Sequence, residues 1–101
     1  MARDRLALQA ELRTIAPKAY FKRPPDNKLT YPCFLYRPSK PQTARADNRV
    51  YMYTPCYNVI YISQEPNENI EQIMLEHFEY CDVDREYETD GLYHYSFTLY
   101  W

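Results

Sequence analysis

The amino-acid sequence predicts a small α+β domain in which two α-helices cover an antiparallel-rich, mixed β-sheet. Two stretches carry apolar residues at the spacing of a helix, and five others are the short aromatic or alternating runs typical of strands. A chain of 101 residues has the length of one compact domain. We therefore expect residues 1–101 to form a single domain with the element order α-β-β-β-α-β-β.

The first helix is predicted over residues 4–16. Asp4 is a suitable N-cap, and Pro17 cannot continue a helix. The apolar stripe that packs on the sheet consists of Leu8, Leu12 and Ile15.

Two strands are predicted over 19–21 and 31–37, with the turn-forming residues 24–27 between them. Residues 38–49 contain no large apolar side chain and include four bases, so they are expected to form an extended basic loop. Such a basic arm resembles the surfaces with which proteins bind nucleic acid. An acidic protein neighbour is the alternative partner.

A long strand is predicted from Val50 to Ser63, with a bend at Pro55 because proline lacks an amide hydrogen. The second helix is predicted over roughly 68–78, with Asn69 and Gln72 spaced like an N-cap and its reciprocal partner. Its apolar stripe consists of Ile70, Ile73, Met74 and His77.

Two alternating strands flank the single glycine and predict a C-terminal hairpin. A three-residue loop over 89–91 pairs Val83 with Phe97 and Glu86 with His94, so that like faces meet. A two-residue turn would put acidic side chains opposite aromatic ones and is the disfavoured alternative. The predicted outer, solvent-facing side carries the acidic residues Asp82, Asp84, Glu86 and Glu88.

Charge is strongly divided along the chain. Up to Pro55 there are eleven bases and four acids, and from Cys56 onward there is one base and ten acids, which gives nets of +7 and −9. If these charges lie on different flanks, copies of the molecule attract one another head to tail. Interleaved charges within one domain are the alternative. The 12 tyrosines fit either a surface that a partner covers or tyrosine-rich strands.

The composition argues against an enzyme. One glycine cannot form a phosphate-binding loop, and no serine stands in a nucleophile-elbow context, so we expect no catalytic residues and no cofactor. Three widely spaced cysteines indicate reduced thiols. A zinc site built from His77 and those cysteines is a minor alternative, since no Cys-x-x-Cys pair supports it.

The chain resembles the small tail terminator and tail-to-head joining proteins of long-tailed bacteriophages. The resemblance covers nearly all of the sequence. Besides the N-terminal helix, the features that carry it are Tyr20-Phe21 before Pro24-Pro25, the segment 29–36, Ala46-Asp47-Asn48, and the hairpin that ends at Tyr100-Trp101.

That resemblance implies a structural virion protein that forms a hexameric ring at the head-proximal end of the tail tube, stops tube polymerisation and joins the head connector. The implied partners are other copies, the tail tube protein, the connector protein, and DNA that passes through the ring without specific binding. The implied place is the tail or neck of the virion, assembled in the host cytoplasm. Another small connector or minor tail component, or a nucleic-acid-binding adaptor, is the alternative.

No window approaches the ~20 apolar residues of a membrane span, so neither a membrane partner nor a signal peptide is expected.

Charge and exposure suggest which residues meet a neighbouring subunit. The predicted interface consists of Arg37, Lys40, Arg45, Arg49, Tyr51 and Tyr53 on the basic side and Asp82, Asp84, Glu86 and Glu88 on the acidic side.

Overall fold

The computed structural model describes residues 4–24, 28–39, 44–46, 49–52 and 55–101, with the backbone alone described at 44–46 and 49–52. One five-stranded sheet has the order β1-β2-β5-β7-β6, and a separate two-stranded ladder joins β3 to β4. The elements are α1 (Arg5–Arg13), β1 (Lys18–Phe21), β2 (Cys33–Ser39), β3 (Ala44–Ala46), β4 (Arg49–Met52), β5 (Cys56–Ser63), α2 (Ile70–His77), β6 (Cys81–Thr89) and β7 (Leu92–Tyr100).

The predicted α+β class is confirmed. In the main sheet β1 runs parallel to β2, and the other neighbouring strands are antiparallel. Helix α1 contacts β1 and helix α2 contacts β6, so each helix lies over one side of the same sheet face. We call this the helix face; it carries Tyr36, Val59 and Phe97. The opposite side, which carries Leu35, Ile60 and Ser96, is called the second face.

The core consists mainly of aromatic rings between the helix face and the two helices. Tyr36 is fully buried, and its hydroxyl donates to Gln9 Oε1 at 2.7 Å and accepts from the guanidinium of Arg5 at 3.2 Å. Burying a tyrosine hydroxyl with both a donor and an acceptor avoids the cost of an unpaired polar group. Trp101 completes the core, since its indole N–H donates to the carbonyl oxygen of Asp4 at 3.0 Å.

The two helix N-termini differ from each other. The Asp4 carboxylate accepts the Leu6 amide at 3.2 Å, which confirms the predicted N-cap. Asn69 is the N-cap residue of α2 as predicted, but the predicted capping box is wrong, because the Asn69 side chain makes no capping bond and the Gln72 amide donates to Glu76 instead. The Asn67 side chain accepts the Asn69 amide at 3.2 Å and so closes the turn before α2 in place of that box.

The region between β2 and β5 is more regular than predicted. Within the predicted loop 38–49, β2 continues to Ser39, which pairs with Cys56, and β3 then pairs with β4. The predicted strand 50–63 is divided into β4 and β5 on either side of Pro55, as the missing amide hydrogen requires. The Pro55 carbonyl accepts the Trp101 amide at 2.8 Å.

The C-terminal hairpin corrects the predicted loop. Thr89 pairs with Leu92, so the connection is a two-residue turn, and both Asp90 (φ 54°) and Gly91 (φ 73°) adopt the left-handed conformation of a type I′ turn. A register shift between Val83 and Arg85 adds one residue to β6. This bulge explains how a two-residue turn still leaves apolar residues paired.

The bulge gives different pairs on its two sides. Before it, Val83 faces Phe97 as predicted. After it, Glu86 faces Tyr95 and not His94, and Tyr87 is the partner of His94. A strict two-residue alternation gives no sign of an inserted residue. The sequence therefore predicts one register for both ends of β6.

Alanine substitutions in the turn test its type. Asp90→Ala and Gly91→Ala should each lower the free energy of unfolding by about 1 kcal/mol, because alanine is strained at positive φ. Apart from Gly91 itself and its two chain neighbours, no atom lies within 4 Å of the place that a Cβ would take, so the cost there comes from the backbone. Urea denaturation measures it, with Asp90→Asn as a control expected to be nearly neutral. Full stability of Asp90→Ala would favour the three-residue loop.

Candidate functional site

The divided charge of the sequence becomes a division across the sheet. The basic elements α1, β1 and β2 form one edge, and the acidic elements α2 and β6 form the other. The bases at the first edge are Arg5, Arg13, Lys18, Lys22, Arg23 and Arg37. The acids of the second edge are Glu71, Glu76, Asp82, Asp84, Glu86 and Glu88. Most of the charges therefore lie on different flanks of the fold, with Glu11 on α1 and Arg85 on β6 as exceptions.

These charges are not neutralised by pairing inside the subunit. Among the side chains that the structure describes, and leaving Lys28 aside, no arginine or lysine lies within 4.0 Å of a carboxylate oxygen. A close polar contact found there joins His77 Nε2 to a Glu11 carboxylate oxygen at 2.7 Å, between the half-exposed surfaces of the two helices. Arg5 and Arg85 instead stack on aromatic rings, Arg5 at 4.1 Å from the Phe21 centroid.

The four predicted acidic interface residues are exposed, but they do not share a face. The bulge leaves Asp82 and Asp84 on the second face, where Asp84 accepts the Thr98 hydroxyl at 2.7 Å. It turns Glu86 and Glu88 to the helix face, opposite aromatic residues of β7. The predicted single acidic row is therefore wrong, because one extra residue reverses the alternation of side chains.

Part of the predicted basic side is visible in the structure. Arg37 is exposed on the second face of β2. The backbones of Arg45 and Arg49 lie in the paired strands β3 and β4, which also place Tyr51 in that ladder. The side chains of these three residues lie outside the description, as do Lys40 and Tyr53 entirely.

Within one subunit Arg37 does not meet the predicted acidic side. Arg37 pairs with Asn58, Asn58 with Thr98, and Thr98 with Asp82. Three strand spacings therefore separate Arg37 from β6, a distance of about 14 Å. Any contact between these residues requires a second molecule.

A carboxyl pair between α2 and β6 was not predicted. Glu86 lies close enough to Glu71 for a hydrogen bond between the two carboxyl groups, and this bond, with some burial and the charge of Glu86, raises the pKa of Glu71. The pair arises because the bulge turns Glu86 toward α2. Only knowledge of that bulge would have revealed it from the sequence.

The thiols behave as structural residues. Cys33 and Cys56 are buried on the second face, six residues apart along the sheet, and Cys81 pairs with Leu99 on the helix face. Burial raises the pKa of Cys33 to about 11 and that of Cys81 to about 12, against a partial lowering by Arg23 at Cys33. The residues of the alternative zinc site thus do not converge, and the described chain holds no cluster of three metal-ligating side chains.

Comparison with known proteins adds no assignment. The chain matches no protein-family model, no curated protein and no solved structure. None of the helices in the described ranges is long and apolar enough to cross a membrane.

Thiol reactivity tests the placement of the cysteines. At pH 8 the folded protein should react with a thiol reagent more than tenfold more slowly than the unfolded chain, because the thiolate is the reactive form and burial suppresses it. Spectroscopic titration with and without denaturant measures this, with three equivalents expected after unfolding. Rapid labelling of even one cysteine in the native protein would contradict it.

The Glu71–Glu86 pair predicts that replacing Glu71 by glutamine stabilises the protein at neutral pH and not at acid pH. The folded chain binds the Glu71 proton more tightly than the unfolded chain, so this site favours folding at acid pH and loses that effect as pH rises through the raised pKa. Glu71→Gln removes the repulsion and should add about 0.5 kcal/mol at pH 7, and nearly nothing at pH 3.5. Thermal unfolding at pH 7 and pH 3.5 measures the difference, with Glu65→Gln as the control. An equal gain in stability at both pH values would contradict a repulsion between Glu71 and Glu86.

Proposed function

We propose that this chain is a structural subunit that assembles head to tail into a ring, and that the ring is the tail terminator of a long-tailed bacteriophage. The observation that carries the proposal is the placement of opposite charges on opposite sheet edges; among the described side chains, Lys28 aside, no arginine or lysine of one edge pairs with a carboxylate of the other. A second copy can place its acidic edge against the basic edge of the first, so that the opposite charges neutralise each other.

The geometry of that contact favours a ring over a simple dimer. If two copies met by the same edge, like charges would face each other, basic on basic or acidic on acidic. Opposite charges meet when the basic edge of one copy contacts the acidic edge of the next, which is a heterologous contact. Such contacts close into a ring when the rotation between copies allows it, and six copies are proposed.

The proposed interface uses the residues predicted from the sequence. Arg37 is exposed at the basic edge, and Arg45 and Arg49 lie on a ladder outside the main sheet. A radius of gyration of 14.4 Å exceeds the ~13 Å of a compact 100-residue domain, which fits an elongated subunit. We propose that this side meets Asp84 and Glu86 of the neighbouring copy, as well as the other acids of β6.

In this proposal the ring sits at the head-proximal end of the tail, contacts the tail tube and the head connector, and lets DNA pass without specific binding. Exposed carboxylates at Asp82 and Asp84 repel phosphates if they line the passage. The role is one of assembly, without a cofactor and without turnover.

Oligomeric mass tests the assembly. Purified protein should pass from monomer to a closed ring as its concentration rises at about 50 mM salt, and 500 mM salt should shift the midpoint at least tenfold upward, because screening weakens contacts between exposed charges. Mass photometry and negative-stain microscopy give the result. Addition of the rings to polymerising tail tubes should then fix tube length.

A protein that stays monomeric at every concentration and never binds tail tubes or connectors would sink the proposal. The same samples discriminate the adaptor alternative, which the bases of β3 and β4 favour. Retention on DNA at low salt that weakens in Arg45→Ala/Arg49→Ala, without rings, would support the adaptor. Absence of retention would end that alternative.

A further inference from the structure

The second face carries a groove of about 580 Å³ at the basic edge of the sheet. Its floor includes the half-buried side chains of Leu35 and Ile60, which are neighbours in the β2–β5 register. Lys22, Arg23 and Arg37 stand around this floor, and the described residues that line it include no carboxylate. The groove thus combines an apolar base with a positively charged rim.

The backbone after β1 builds this rim. Lys22 has a φ of 62°, a left-handed conformation that is uncommon for lysine, and its amide donates to the Tyr36 carbonyl at 2.8 Å. This turn carries the chain from the end of β1 across the edge of β2. Arg23 then lies near enough to the second face for its charge to act on the buried Cys33 thiol.

The part of the molecule with complementary chemistry is the tip of the β6–β7 hairpin. It presents exposed Glu88 and Asp90 around a tight turn, with Glu86 two pairs further back and Leu92 half-buried beside them. Carboxylates with a neighbouring aliphatic side chain fit a basic rim over an apolar floor.

The tip cannot reach the groove of its own subunit. The groove lies at β2, three strand spacings or about 14 Å from β6. Along the strands, Arg37 is level with Thr98, which is six residues or about 20 Å from Leu92. The two surfaces therefore lie at diagonally opposite corners of the sheet.

We propose that the groove formed by Lys22, Arg23 and Arg37 over Leu35 and Ile60 receives the acidic β6–β7 hairpin tip of a second copy of this chain. The inference rests on the proposed head-to-tail assembly and names the contact within it. Each subunit presents one groove and one tip, so every copy donates to one neighbour and accepts from the other.

Two charge-reversed variants test this contact. Arg23→Glu/Arg37→Glu makes the groove acidic and leaves the tip acidic, whereas Glu88→Lys/Asp90→Lys makes the tip basic and leaves the groove basic. Each variant by itself brings like charges together and should lose assembly at least a hundredfold. Mixed in equal amounts, they present opposite charges at every contact and should form rings with alternating subunits.

Mass photometry and native mass spectrometry read out the outcome. Circular dichroism and thermal melting verify that each variant folds, and a lysine at position 90 has a precedent in the left-handed Lys22. The matched control, Glu65→Lys/Glu68→Lys, reverses two exposed charges in the segment between β5 and α2, away from both surfaces, and should assemble like the unmodified protein.

The results separate the two proposals. Rings of the unmodified protein that persist in both variants would overturn the groove contact and leave the assembly intact. Absence of any oligomer of the unmodified protein would overturn both. Rings that are lost in each folded variant but not restored by mixing would also overturn the groove contact, because complementary charge would then be irrelevant.

Discussion

The central position of β5 governs the distribution of charge in this protein. β5 pairs with β2 on one side and with β7 on the other, so the chain before it forms one half of the sheet and the chain after it forms the other. Because the sequence is basic before Pro55 and acidic after it, this topology turns a linear division into a spatial one. The long side chains at the two edges remain too far apart to neutralise each other.

More of the tyrosines lie in the core than the sequence indicated. Tyr36, Tyr57, Tyr61 and Tyr95 are buried, and three of the ring pairs in the core join two tyrosines or a tyrosine and phenylalanine at tilted or edge-on angles. Rings of this kind fill a large volume while their hydroxyls reach polar partners, as Tyr95 does at the Asn67 amide. Tyr80, with 61% of its surface exposed, is the clearest case of a described tyrosine free for a partner surface.

Local chemistry was predictable from the sequence, and features set by packing were not. The Asp4 cap, the two helices and the hairpin around Gly91 each depend on a few adjacent residues, whose preferences survive in the fold. Asn69 occupies the expected N-cap position, but its side chain makes no capping bond, and its amide donates to the Asn67 side chain and not to Gln72. Pairing of β3 with β4 required knowledge of how the chain returns on itself, which no apolar pattern in 38–49 could indicate.

For the candidate site, exposure was predicted well and orientation only in part. All four acids of β6 are at the surface as expected, but two point to each side. The groove at Arg23 and Arg37 was missed because its members come from separate strands, and the left-handed residue that brings them together is a lysine instead of the glycine that usually marks such a position.

Because of the bulge at Asp84, a single insertion or deletion can change which side chains of β6 face each side of the sheet. In a strand of fixed length, moving two carboxylates to the other side of the sheet needs several simultaneous substitutions. Here the gain or loss of one codon near Asp84 shifts the phase of every residue between the bulge and the turn. Related chains that differ by one residue at this point would therefore display different electrostatic surfaces while keeping the same core and the same turn.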